Sequence, residues 1–171
     1  MPELNQAPPT PDTILDNVLS NNSTVNSLGT GVSRVATKTI TFTGASGLGL
    51  HGTATTCFTV SGGVVVIQYI CGRVTTNLTG ASATLTLGTT QQTTKFIGTT
   101  TATGLVTTAE LWLSTTPTAG SLAFPAADIN IATDENIICS STHVTEDVAS
   151  GVLEIDVRWM PLTPGATLVA A

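Results

Sequence analysis

Two histidines, His51 and His143, are the residues from which general acid–base chemistry would have to start. Nucleophilic catalysis needs a His within reach of a Ser or Cys and oriented by a carboxylate. In a chain this rich in hydroxyls, some Ser or Thr falls near each His by chance. No G-x-S-x-G elbow is present, so nothing lifts one hydroxyl above the rest. Both histidines are expected to be solvated loop residues, and no catalytic residue is assigned. Carboxylates gather at Asp128, Asp134 and Glu135 and again at Glu146 and Asp147, with His143 between the two groups. A hard cation needs several oxygens converging on one point. The run Asp128-Ile-Asn130-Ile-Ala-Thr-Asp134-Glu135 has neither the EF-hand spacing nor its glycine. Charged loop tips are the simpler expectation, with a loop-bound Ca²⁺ left open and no metal assigned.

Gly47-Leu-Gly49-Leu-His51-Gly52 fits the spacing GxGxxG. A dinucleotide site requires a helix after the glycines, whose first amides receive the pyrophosphate. Here the glycines run into Thr53-Ala-Thr-Thr-Cys57-Phe-Thr-Val60, which reads as a strand. A loop between two strands explains them, and no cofactor is expected. Cys57, Cys71 and Cys139 are odd in number and form no CxxC pair, which leaves zinc and thioredoxin-like chemistry without support. All three fall in apparent strands, where a free Cys serves as a small buried hydrophobe. The order Cys57, Trp112, Cys139 has the immunoglobulin sequence of types without its spacing. There the Trp closely follows the first Cys and a Tyr stands two before the second, a position Ile137 holds here.

The elements that would carry these residues are strands. Ile40 and Phe42 alternate with Thr37, Thr39, Thr41 and Thr43, and Leu153, Ile155, Val157 and Trp159 alternate with Glu154, Asp156 and Arg158. Period-2 alternation marks half-buried strands. Thr53–Val60, Val64–Val74, Thr84–Leu87, Lys95–Thr99, Glu110–Leu113 and Asn136–Ser141 complete about eight strands, punctuated by Gly, Thr and Pro loops. With no helical period beyond residue 20 and no repeat of solenoid length, the expected fold is all-β. It is a two-layer antiparallel β-sandwich of jelly-roll or Greek-key type over residues 34–160. Its core is expected to include Ile40, Phe42, Phe58, Val66, Leu85, Leu87, Leu153, Ile155, Val157 and Trp159. Residues 1–33 are rich in Pro, Asn and Ser and form a separate N-terminal arm. Within it Thr10 caps a short helix that starts at Pro11 and carries Ile14, Leu15, Val18 and Leu19 on one face. A helix of that length does not hold alone in water. Its stripe is therefore expected to dock on a partner, with its own sandwich as the alternative. Residues 161–171 form an uncharged apolar tail that is expected to be packed.

Composition narrows the function. Roughly a fifth of the chain is Thr and charged residues are only 9%, against about 25% in an average globular protein. A surface of Thr, Ser, Gly and Ala is cheap to desolvate and suits a chain packed against neighbours. Five basic residues, Arg34, Lys38, Arg73, Lys95 and Arg158, are scattered singly in a chain of net charge −6, which excludes a nucleic-acid partner and an anionic membrane surface. No stretch reaches the length of a membrane-spanning helix. The opening MPELNQAPPTPDTIL has neither a basic nor an apolar leader region, so no secretory signal is expected. The stretch Val64–Val74 is apolar on both faces, and one face is expected to meet a partner through Val65, Ile67 and Tyr69. A homo-oligomer is expected from three features that need cover: this strand, the 9% charged content and the apolar tail at 161–171.

The Thr/Gly/Val-rich strands, the segment Ile70-Cys-Gly-Arg-Val-Thr-Thr-Asn-Leu-Thr-Gly80 with Leu85-Thr-Leu87-Gly88 after it, and the ending Val157-Arg-Trp-Met-Pro-Leu162 together resemble small virion proteins of tailed bacteriophages. The likeness is to head decoration, or cement, proteins and covers roughly residues 35–171. It implies a non-enzymatic β-sandwich that assembles in the host cytoplasm and sits on the virion surface. There it would bind the major capsid protein and copies of itself, often as trimers. The alternative within the same style of protein is a tail or fibre component with a receptor- or glycan-binding sandwich, which an aromatic content of 4% does not favour.

Overall fold

The computed structural model describes residues 33–105, 110–116 and 129–171. The proposed helix with Ile14, Leu15, Val18 and Leu19 lies outside these residues.

Among the described residues ten strands follow one another: β1 Arg34–Phe42, β2 Ala54–Ser61, β3 Val65–Thr79, β4 Thr84–Thr89, β5 Ile97–Thr101, β6 Leu111–Trp112, β7 Ile131–Thr133, β8 Ile137–Ser141, β9 Ser150–Pro161 and β10 Thr167–Ala170. A single 3₁₀ turn, Ala102–Gly104, follows β5. All pairings between these strands are antiparallel. Sheet I has the order β1-β9-β3-β6, with β7 also on β3, and sheet II has the order β10-β2-β8-β4-β5. The two five-stranded sheets face each other as a sandwich. Two strands were not expected from the sequence. Three residues of β7 and four of β10 are too short to show alternation. The C-terminal segment is packed, as expected: Thr167–Ala170 pairs with Phe58–Ser61 as an edge strand.

The core is the product of alternation on the longest strands. Leu153, Ile155, Val157 and Trp159 of β9 point inward beside Ile40 and Phe42 of β1, and meet Phe58, Val60, Leu85, Leu87, Ile97, Ile137 and Leu168 of sheet II. Each fully buried side chain of this size contributes about 1.5–3 kcal/mol. At the end of the β9 row the Arg34 guanidinium lies 5.3 Å from the centroid of the Trp159 ring, a cation–π contact.

The expected partner face of β3 needs correction. Val65 and Ile67 are fully buried in the core, and Tyr69 alone of the three lies on the outer face. Pairing with β9 sets this arrangement. Ile67 stands opposite Trp159, which points inward, while Val66 stands opposite Met160 on the outside. Between Ile67 and Tyr69 the register shifts by one residue, so Ile70 again faces the core opposite Val157. A bulge of this kind resets which residues share a face. Val66 is accordingly buried, as expected, but on the outer side of the sheet rather than between the sheets.

Candidate interaction surface

The two possible catalytic histidines are placed by backbone turns at one end of the sandwich. The loop after β1 folds over the β8–β9 loop through Gly44 N to Val148 O at 3.1 Å and Val148 N to Gly49 O at 2.9 Å. Gly49 has φ +107°, and a Cβ there would collide with the Val148 carbonyl. The GxGxxG spacing thus serves close backbone approach, and β2 follows it where a helix would be needed for nucleotide binding. His51 lies on Asp147, with its backbone amide donating to Oδ1 at 2.8 Å and its ring Nδ1 2.7 Å from the same oxygen. Those two bonds hold the Asp147 carboxyl below the usual carboxylate range. His143 closes on its own loop, Nδ1 accepting from the amides of Thr145 and Glu146 at 3.2 and 2.9 Å. Both arrangements brace loops.

The carboxylates also separate into structural roles. Glu135 accepts from the Gln91 amide at 3.1 Å, and its carboxyl is lowered by the Thr89 hydroxyl, the Gln91 amide and Lys95. Among the described residues no three His, Cys, Asp or Glu side chains converge as metal ligands. Cys57, Cys71 and Cys139 are free and buried. Burial pushes the Cys57 thiol up to about 12 and raises Cys71 and Cys139 as well. Cys57 and Cys139 lie on neighbouring strands of one sheet, so they could not form the inter-sheet bridge of an immunoglobulin domain.

What distinguishes the two faces is charge. The strands of sheet I carry Arg34, Lys38, Arg73, Glu154, Asp156 and Arg158. On its outer side these are engaged locally: Arg73 pairs with Glu154, and the Thr37 hydroxyl donates to Asp156 at 2.6 Å. The strands of sheet II contain no Asp, Glu, Lys, Arg or His at all. Cross-strand pairing places Thr59 with Val169, Thr56 with Ile138, and Ala54 and Thr86 with Ser140 on the outer side. Thr56 and Ala54 are exposed, and Val169 is 54% exposed. Ile138, Ser140 and Thr86 are already buried there, and covering the exposed remainder, Ala54, Thr56 and Val169, moves hydroxyls and methyl groups out of water but no ionised group of these strands, whose desolvation is the expensive step in burying a surface.

Sequence reading missed this surface because it looked for apolar residues on β3. The available signal was the absence of charge from Ala54–Ser61, Thr84–Thr89, Ile97–Thr101 and Ile137–Ser141 taken together. Pairing order is needed before those segments can be recognised as neighbours. Two earlier reasons for oligomerisation are also absorbed by the fold, since β3 buries its inner side in its own core and the C-terminal segment covers the edge of β2.

No protein-family model, curated protein or solved structure matches the chain.

Proposed function

We propose that this protein is a non-enzymatic virion structural protein that decorates a bacteriophage capsid, packing against capsid subunits and against its own copies. The observation that carries the reading is the uncharged outer face of sheet II. A chain of net charge −6 repels its copies, and this face lets neighbours approach without bringing ionised side chains into register. The strand order supports a jelly-roll: β1-β9-β3-β6 opposite β2-β8-β4-β5 is the order that two interleaved Greek keys produce, with β10 added beside β2. Residues 1–33 extend the assembly as an arm, with the Ile14, Leu15, Val18 and Leu19 stripe gripping a capsid subunit or a second copy. Tyr69 remains a contact candidate on the outer face of sheet I, and a trimer remains the proposed oligomer.

The test is the position of the protein in a density map of its virion. Density matching the sandwich on the outer capsid surface, between capsomers, is the expected result. Density on the tail or fibres would replace this reading with the receptor-binding one, and absence from the particle would overturn both.

A further inference from the structure

The strand register assembles an apolar patch on the outer face of sheet I. Met160 of β9 stands opposite Val66 of β3, which in turn stands opposite Ala132 of β7. The next row across the sheet is Val35, Arg158 and Tyr69. Leu162 follows Met160 two residues on. Val35 is 72% exposed and Leu162 51% exposed, Ala132 is exposed, and Met160 and Tyr69 are half-buried. From β1 to β7 the patch is about 15 Å wide at the usual spacing between strands. A contiguous exposed apolar patch marks a contact surface. It lies on the other side of the sandwich from the uncharged face of sheet II, so copies packed through that face leave it open.

Two observations point to what covers it. The first is where the chain enters. Ser33, the residue before β1, donates its hydroxyl to Gln68 Oε1 at 2.5 Å, and Gln68 Nε2 lies 3.8 Å from Met160 Sδ. The chain therefore comes to β1 over this patch. Residues 1–32 hold the apolar stripe Ile14, Leu15, Val18 and Leu19, which needs cover of its own. Residues 20–32 join that stripe to Ser33, and when extended they reach about 43 Å. That tether is long enough to carry the stripe past its own patch to the next copy.

The second observation is charge. Residues 1–32 contain Glu3, Asp12 and Asp16 and no Lys, Arg or His. Arg158 stands exposed in the row of Val35 and Tyr69. The next carboxylate along β9, Asp156, already accepts from the Thr37 hydroxyl. Asp134 follows β7 on the far side of the patch. An acidic segment is thus drawn to the β1–β9 side and away from β7.

We infer that this patch seats the Ile14–Leu19 segment of a neighbouring copy, with Asp12 and Asp16 toward Arg158. The inference rests on the proposed assembly and adds the place where the arm grips. One arm given and one received by each chain is a heterologous contact, which closes into a ring, as a trimer requires. The chain's own patch is the competing seat.

The test is cross-linking of the full chain carrying Asn17→Cys beside the stripe and Ala132→Cys in the patch, with a short bismaleimide. The native thiols are buried, so the reagent joins the two introduced ones. Links between chains are expected, seen as covalent oligomers on a denaturing gel and mapped to these two positions by mass spectrometry. Val35→Glu, at an exposed position, should leave the thermal transition in place. It should cut the yield several-fold by setting a carboxylate against Asp12 and Asp16, and adding Asp12→Arg and Asp16→Arg should restore it. Links confined within single chains would seat the arm on its own sandwich and overturn the inference. No link at all, or a yield that ignores Val35→Glu, would overturn it equally. Sedimentation of the native chain separates the two claims: an oligomer without the interchain link sinks the seat alone, and a monomer sinks the assembly with it.

Discussion

The Trp112 ring nitrogen donates a buried hydrogen bond to the Thr100 hydroxyl over 2.8 Å, joining β6 of sheet I to β5 of sheet II through the core. Gly72 makes the position possible, since a Cβ there would stand 2.9 Å from the Trp112 ring. The tryptophan is therefore a tie between layers at a point where β3 has no side chain of its own. Replacing Trp112 by Phe should cost about 1–3 kcal/mol through the lost bond and the smaller ring. Trp112→Ala should cost about 3–5 kcal/mol. Urea denaturation measures both, and an Ala variant within about 1 kcal/mol of the native protein would remove Trp112 from the core.

The register shift on β3 makes a paired prediction. Ile67→Ala should destabilise by about 2–5 kcal/mol, as a core truncation does. Tyr69→Phe, on the outer face, should change stability by well under that amount. Equal effects of the two substitutions would mean that the bulge between Ile67 and Tyr69 is misplaced.

Acid should loosen the loop end of the sandwich before the core. The folded Asp147 carboxyl is depressed below its ordinary value of 3.8 by the His51 backbone amide and then by the His51 ring. A group whose folded value is lowered contributes stability that is fully present above the unfolded value and is lost as pH falls through the folded one. The contribution should therefore hold at neutral pH and disappear below about pH 4. Amide signals of residues 44–52 and 145–149 should shift in that window, and Asp147→Asn should remove the dependence. An unchanged titration in the Asn variant would assign the effect elsewhere.

The three thiols should be silent in the folded protein. All are buried, and desolvation keeps Cys57 protonated up to about 12. Iodoacetamide reacts with the thiolate, so at about pH 8 the native chain should take up no label over the time that alkylates an unfolded control completely. Rapid single labelling at Cys71 would show that the outer face of sheet I is less covered than the structure places it.

Strand content and the inward rows of β1 and β9 were legible in the sequence because each strand buries one face, and alternation reports that directly. Leu153, Ile155, Val157 and Trp159 needed no other information. Β3 was not legible in the same way. Its two sides are both apolar, so composition fixes the strand without fixing which side faces inward, and the bulge at Gln68 has no signature beyond the pairing with β9. The uncharged face of sheet II lies further out of reach. It depends on β2, β8 and β4 becoming neighbours, across more than fifty residues of chain between Thr86 and Ser140.

Sedimentation velocity of the purified full chain at micromolar concentration, compared with Thr56→Lys, tests assembly through the uncharged face most directly. Thr56 is exposed opposite Ile138 on a sheet whose strands carry no charged side chain, so lysine there should leave the thermal transition in place. The native chain is predicted to sediment as an oligomer, a trimer in the proposed form, and the lysine variant as a smaller species. A native chain that sediments as a clean monomer, or a lysine variant that assembles as well as the native one, would contradict it.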